Sequence, residues 1–209
     1  MKSTIVIPQK TNSQMTLSLV RQIHQFEPES EVIVIHDTQD DEMDELPNCR
    51  LIRNRGVGVT AAWNHGVEEA SNELVILLNN DIVCTGPFVG RLYAGERCIG
   101  GVRQRIEGMI GAAANSLPGG PASLWLEGWC LSFLRSCWGM IGGFDESMSL
   151  YFSDLDFQVR AVGKDLSLVL CDGVPFRHLG HQTTRTMPST RTLWNQDRAV
   201  FIRKLTGAV

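Results

Sequence analysis

The sequence predicts a single α/β domain with a mostly parallel central sheet and helices on both faces. Three observations carry that expectation. Short β-rich runs alternate with helical patterns through the first half of the chain. Two of those runs, Val32-Ile33-Val34-Ile35 and Leu74-Val75-Ile76-Leu77-Leu78, are continuously apolar, as strands covered on both faces are. Finally, a chain of 209 residues with 43% hydrophobic composition can bury one sizeable core and lies near the usual upper size for one domain.

Taken in order, Thr4-Ile5-Val6-Ile7-Pro8 reads as a strand ended by its proline, and Met15, Leu19, Ile23 and Phe26 recur behind it at helical spacing. Val32 to Ile35 is the second strand, Leu51-Ile52 a shorter third, Thr60 to Ala70 a helix, and Leu74 to Leu78 the next buried strand. From Cys98 the pattern changes. Arg103 to Ser123 holds Gly108, Gly111, Gly119 and Gly120 with Pro118 and Pro121, and is expected to be a long mobile loop acting as a lid. Leu124 to Leu134 reads as a strand, Arg135 to Ile141 as a short helix, and Ser153 to Val162 as a helix capped by Ser153. Ser167 to Cys171 is a closing strand, and Thr190 to Leu205 a C-terminal helix burying Leu193, Val200, Phe201 and Leu205. The expected organisation is a nucleotide-sugar half over about 1–97, a catalytic half over about 98–185 and the last helix over 186–209.

Composition excludes several functions. A net charge of −4 argues against non-specific nucleic-acid binding. Glu27 to Glu45 carries nine acids and no Lys or Arg, while His178 to Val209 carries five basic residues against Asp197 alone; both read as solvated surface, the alternative being a basic tail set near a phosphate or an anionic membrane surface. The apolar runs are too short to span a bilayer, so neither a membrane anchor nor a secretory signal is expected. Six cysteines without a C-x-x-C pair read as buried thiols in a reducing, cytoplasmic compartment.

Beyond the carboxyl ends of parallel strands, where such sheets bind ligands, fall Asp37, Asn54 and Asp81. Leu77-Leu78-Asn79-Asn80-Asp81 ends a strand in a carboxylate suited to a divalent cation. Later come Gly142-Gly143-Phe144-Asp145-Glu146, then Asp154-Leu155-Asp156 and Arg160, with carboxylates suited to proton transfer at a helix start and an ion pair four residues apart. Both motifs, in this order, resemble family 2 glycosyltransferases, including rhamnosyltransferase-like members. The family's acceptor signature runs G-G-F-D-E and then E-D-x-D-x-x-x-R. Here Asn79 and Asn80 stand where the family usually has Asp, and Ser153 where it has Glu.

The resemblance covers most of residues 1 to 185. It implies the nucleotide-diphospho-sugar transferase (GT-A) fold and an inverting transfer from a nucleotide-diphosphate sugar to a saccharide, lipid-linked or protein acceptor. Asp154 would be the general base, and Asp81 with His178, in a segment similar to the family's H-x-G-G, would hold Mn²⁺ or Mg²⁺. Asp37, Asn54 and Asn80 would contact the nucleotide; Asp145, Glu146, Gly128 and Trp129 would meet the acceptor. His181, Gln182, Thr183 and Arg185 are further candidates for the diphosphate. Asn54-Arg55-Gly56 and Ala61-Ala62-Trp63-Asn64-His65-Gly66 resemble the family's N-x-G…A-x-N-x-G segment near the nucleotide base. Two other readings compete: a sugar-nucleotide nucleotidyltransferase, against which Pro8-Gln9-Lys10-Thr11-Asn12 lacks a glycine-rich triphosphate loop, and an inactive nucleotide- or carbohydrate-binding module.

Overall fold

In the computed structural model, which describes residues 1–38, 48–54, 56–104, 124–180 and 190–207, the continuous apolar runs occupy the centre of a seven-stranded sheet. The elements are β1 (Ser3–Gln9), α1 (Ser13–Phe26), β2 (Glu31–His36), β3 (Arg50–Arg53), α2 (Val59–Glu68), β4 (Leu74–Leu78), β5 (Ile82–Cys84) and α3 (Val89–Leu92). They continue with β6 (Cys98–Gly101), β7 (Cys130–Leu134), α4 (Arg135–Ile141), α5 (Ser153–Val162), β8 (Ser167–Leu170), β9 (Phe176–His178) and α6 (Thr190–Thr206). The sheet order is β3-β2-β1-β4-β7-β6-β8; only β7 runs antiparallel to its neighbours, and β5 pairs with β9 in a separate two-stranded ribbon.

Strand periodicity divides the core. Ile5, Ile7, Val32, Val34, Ile76 and Leu78 face one side, where Leu19, Val20 and Ile23 of α1 and Phe88 cover them. Val6, Ile33, Ile35, Val75 and Leu77 face the other, under Ala62, Trp63 and Val67 of α2 and the stacked rings of Phe144 and Phe157. Alternation along a pleated strand makes both faces apolar only if nearly every residue is, which is why these runs are continuous. A third cluster, Trp125, Met148, Phe152, Leu155 and Phe201, seats α6 against α5.

The close fit of α2 on β1 depends on Gly66, because a Cβ there would come within 2.2 Å of Val6 Cγ1. Alanine normally favours a helix over glycine by up to ~1 kcal/mol. Here the overlap outweighs that propensity, and Gly66→Ala is expected to destabilise by about 1–3 kcal/mol, the usual cost of overpacking. Equilibrium urea unfolding checks this; a variant as stable as the wild type would mean that the helix shifts away freely.

Three local expectations change. Pro8 does not end its strand: β1 continues to Gln9, and Pro8 lies past the last residue paired with β4, where an absent N–H is tolerated. The strand expected over Leu124 to Leu134 is regular only from Cys130, since Gly128 and Trp129 form a turn before it and Leu126 makes only an isolated bridge to Gln104. Ser153 does not cap α5. That position belongs to Phe152, and the buried Ser153 hydroxyl has no hydrogen-bond partner among the described residues. The lid expected over Arg103 to Ser123 lies outside the described residues apart from its first two positions and carries no structural statement.

Candidate functional site

The strand ends gather the predicted residues at one edge of the sheet. Asp37 follows β2, and its two carboxylate oxygens accept the N–H groups of Val57 and Gly58 at 2.7 and 2.9 Å. It therefore shapes the loop that enters α2. Asn54 follows β3; its Oδ1 meets His65 Nδ1 at 2.9 Å, and its buried Nδ2 has no hydrogen-bond partner among the described residues. A donor held that way suits a carbonyl or hydroxyl of a bound ligand. Asn80 is braced, its amide donating to Thr11 O at 3.0 Å and Thr16 Oγ1 at 3.1 Å, which anchors the end of β4 to α1.

Asp81 and His178 meet across the small ribbon. The antiparallel register sets Ile82 opposite His178, and Leu179 N–H donates to Asp81 O at 2.9 Å, which leaves Asp81 Oδ1 3.2 Å from His178 Nε2. Trp129 stacks on the imidazole with centroids 4.6 Å apart, and its Nε1 donates to Glu127 Oε2 at 2.7 Å. Asn79 N–H bonds Trp129 O at 2.9 Å, tying this turn to the end of β4. Among the described residues there is no group of three or more His, Cys, Asp or Glu able to hold a cation alone. Asp81 and His178 supply one oxygen and one nitrogen donor, a set that fits a divalent cation whose other ligands come from phosphate and water.

Asp154 reaches the same turn through Gly128. It lies in the first turn of α5, so near Gly128 that a Cβ on the glycine would stand 2.6 Å from both Asp154 Cβ and Oδ2. Gln158, one turn later, holds that approach: its Oε1 accepts Leu126 N–H at 2.7 Å and its Nε2 donates to Leu126 O at 3.0 Å. The turn at Gly128 and Trp129 thus contacts Asp154 through its first residue and His178 through its second.

The glycine-rich acceptor motif begins where α4 stops. Gly142 and Gly143, at φ 90° and 73°, both donate to Trp138 O, a left-handed exit that side chains with a Cβ resist. Asn64 then fastens the loop. It accepts Phe144 N–H at 2.8 Å and donates to Phe144 O at 2.9 Å and Glu146 Oε1 at 2.8 Å. Burial would raise the Asp145 carboxyl, but donation from Lys204 and Ser147 outweighs it and brings the pKa to about 2. Lys204 Nζ sits 2.5 Å from Asp145 Oδ2 and 2.6 Å from Asp156 Oδ1, while Arg160 Nε pairs with Asp156 Oδ2 at 2.8 Å. The Asp156–Arg160 pair is thus structural, as its spacing suggested. Asp145 and Glu146 both make bracing contacts and both line an open cleft of about 390 Å³ with Gly142, Phe144, Arg160 and Lys204.

Sequence reasoning assigned Asn64 to the nucleotide side, whereas it faces the acceptor motif, and it missed Gln158, Asp197 and Lys204. For Asp197, an acid four residues before Phe201 on one face of a mostly polar helix was the available signal. Trp125 is buried in the cluster under α6 and Trp138 packs against the α2-side cluster, leaving Trp129 at the site. Asn54 and Gly56 flank Arg55, which is outside the described residues, as are His181, Gln182, Thr183 and Arg185.

The family model described as Glycosyl transferase family 2 matches residues 4–127, more than half of the chain. Two curated relatives, both N-acetylglucosaminyl-diphospho-decaprenol L-rhamnosyltransferase, from Mycobacterium tuberculosis strains CDC 1551 / Oshkosh and ATCC 25618 / H37Rv, are each 34% identical over 80 residues. Those matches span 37% of this chain and only 26% of either relative. Among solved structures, the mannosyltransferase PcManGT from Pyrobaculum calidifontis, in complex with GDP-Man and Mn²⁺, superposes with a TM-score of 0.59 at 15% identity, over 82% of this chain and 55% of that one. At that identity the likeness concerns the fold.

Proposed function

The chain belongs to glycosyltransferase family 2, with that family's GT-A fold, and on this premise we propose that it transfers a hexosyl or deoxyhexosyl group from a nucleotide-diphosphate sugar to an acceptor hydroxyl with inversion. One observation carries the reading: consecutive residues of one turn touch both groups, Gly128 packing against Asp154 and Trp129 stacking on His178, the partner of Asp81. Donor phosphates and acceptor hydroxyl can therefore meet at one place.

Each residue then has a task. The half up to residue 97 holds the nucleotide, with Asp37 shaping the loop before α2 and Asn54 offering its free amide donor. Asp81 and His178 face the diphosphate and would hold Mn²⁺ or Mg²⁺. A bound divalent cation there neutralises charge on the departing nucleoside diphosphate. Asp154 takes the proton from the acceptor hydroxyl as that oxygen attacks the anomeric carbon opposite the leaving group. Gly128 leaves room for the Asp154 carboxylate itself, and Asp145 and Glu146 border the cleft assigned to the acceptor. The acceptor is a saccharide, a lipid-linked intermediate or a protein.

Thiol chemistry has no part in this mechanism. Burial pushes Cys49 up to about 11, and burial aided by Glu27 pushes Cys84 to about 12, so neither is a ready nucleophile. A reducing, cytoplasmic location is part of the same reading. No helix among the described residues is long and apolar enough to cross a membrane.

A panel of nucleotide sugars, with and without Mn²⁺, tests the proposal by thermal shift and by product analysis. The cognate donor is expected to raise the melting temperature in the presence of Mn²⁺, by about 3 kcal/mol of stabilisation at a hundredfold excess over its dissociation constant. Adding acceptor should release nucleoside diphosphate. Pyrophosphate released from a nucleoside triphosphate would instead favour the nucleotidyltransferase reading, and binding without turnover across a broad acceptor panel would favour a binding module.

A further inference from the structure

Resting on the reading of Asp154 as the base, we propose that α6 is a positioning element of the transfer site, in which Asp197, Phe201 and Lys204 clamp residues 145–156 and so set the turn that presents Asp154. These three residues recur at helical spacing along one face of α6. Each grips a different part of the same segment.

Asp197 is 3% exposed on a helix that is otherwise mostly polar and solvated, and a buried carboxylate is costly unless it is hydrogen-bonded. It accepts three consecutive backbone N–H groups, from Ser149 at 3.3 Å, Leu150 at 3.0 Å and Tyr151 at 2.8 Å. Consecutive N–H groups converging on one anion force the chain to curl. The next residue, Phe152, has φ 64°, a left-handed conformation that a bulky side chain adopts only when its surroundings impose it. Its ring is stacked on Phe201 at 5.4 Å and tilted against Trp194 at 5.6 Å, so α6 holds the strained residue by its side chain as well. Immediately after Phe152, α5 begins with Ser153 and Asp154. Lys204 then joins the start of the segment to the first turn of α5, through Asp145 at 2.5 Å and Asp156 at 2.6 Å.

The clamp is separable from the fold. The buried partners of α6 are Trp125, Met148, Phe152 and Leu155, which lie in or beside the clamped segment, while the central sheet is covered by α1, α2 and the rings of Phe144 and Phe157. Loosening α6 should therefore release the αL turn at Phe152 and let the Asp154 carboxylate wander, with donor binding at Asp81 and His178 preserved. Misplacement of a reacting group by about 1 Å is enough to slow a reaction by roughly 10²-fold.

The test uses the full chain with Asp197→Asn, Lys204→Met and Lys204→Arg, and reads three quantities. Amide exchange over 149–156 should quicken by about tenfold in Asp197→Asn and less in Lys204→Met, while amides of β1 and β4 stay as slow as in the wild type. Mn²⁺-dependent donor affinity, by calorimetry, should remain within about twofold, and kcat at saturating donor should fall by roughly 10- to 100-fold. Lys204→Arg, which keeps the charge, should retain most of the wild-type kcat. Unchanged exchange over 149–156 in folded Asp197→Asn, or a fall in kcat matched by faster exchange throughout the sheet, overturns the clamp. If Asp197→Asn does not fold, Lys204→Met decides by the same exchange and kcat criteria, since the Lys204 side chain is itself 35% exposed whereas Asp197 is buried. A wild-type protein that transfers no sugar defeats the glycosyltransfer reading instead, and the local exchange then still decides whether α6 holds the segment.

Discussion

Asp154→Asn is expected to leave a folded protein with wild-type donor affinity and to lower sugar transfer by about 10²- to 10⁴-fold, the contribution of a positioned general base. Asparagine keeps the shape of the side chain that fits against Gly128, so packing is retained. It removes one favourable charge from the first turn of α5, a loss of roughly 0.3–1 kcal/mol. A purely structural Asp154 would therefore permit near-normal turnover, and rates at saturating donor separate the two cases. Asp156→Asn is the neighbouring control, because that carboxylate is committed to Lys204 and Arg160 and should act through stability and loop order. Gly128→Ala approaches the same point from the other side: its new methyl would overlap Asp154 Cβ and Oδ2 at 2.6 Å, and it should reduce transfer with little effect on donor affinity. Wild-type transfer by Asp154→Asn would remove this residue from the mechanism. Glu146 would be the next carboxylate to test, ahead of Asp145, whose charge is already paired with Lys204.

Asp81→Ala should abolish the Mn²⁺-dependent part of donor affinity, by ~10²-fold or more, given that even the outer partners of metal ligands contribute 10- to 100-fold. The fold should persist, because the β5–β9 ribbon is held through the backbone oxygen of Asp81, the paired strands and Phe88 packed against Phe176. Calorimetric titration of donor with and without Mn²⁺ makes the comparison directly. His178→Ala should lose part of the same metal dependence, since its Nε2, 3.2 Å from Asp81 Oδ1, is the second donor of the proposed site. Equal Mn²⁺-dependent affinity in Asp81→Ala and wild type would move the cation to other residues and leave Asp81 as a strand-end turn.

Much of the sheet was legible because strand periodicity is local. Val32 to Ile35 and Leu74 to Leu78 are apolar at every position, which only a doubly covered strand requires, and the helix behind β1 repeats at its own period. Arg135 to Ile141 and Ser153 to Val162 were recognisable for the same reason, with paired glycines ending the first. The short elements β5, α3, β6 and β9 were not, since three or four residues carry too little periodicity to distinguish them from loops. Ser153 was misread as a cap because a serine before an acidic first turn suits that role chemically, while the αL turn at Phe152 is imposed by α6.

Sequence alone determined the α/β class, the strand ends at which Asp37, Asn54 and Asp81 fall, the motif order that marks the family, and the acids available for chemistry. Those properties are written in neighbouring residues. Tertiary structure alone decided that His178 stands beside Asp81, that Asn64 serves the acceptor motif and that Asp197 and Lys204 reach back to it. Each depends on a register or a helix docking between distant parts of the chain, which is selected by packing of the whole core and leaves no periodic trace in either partner.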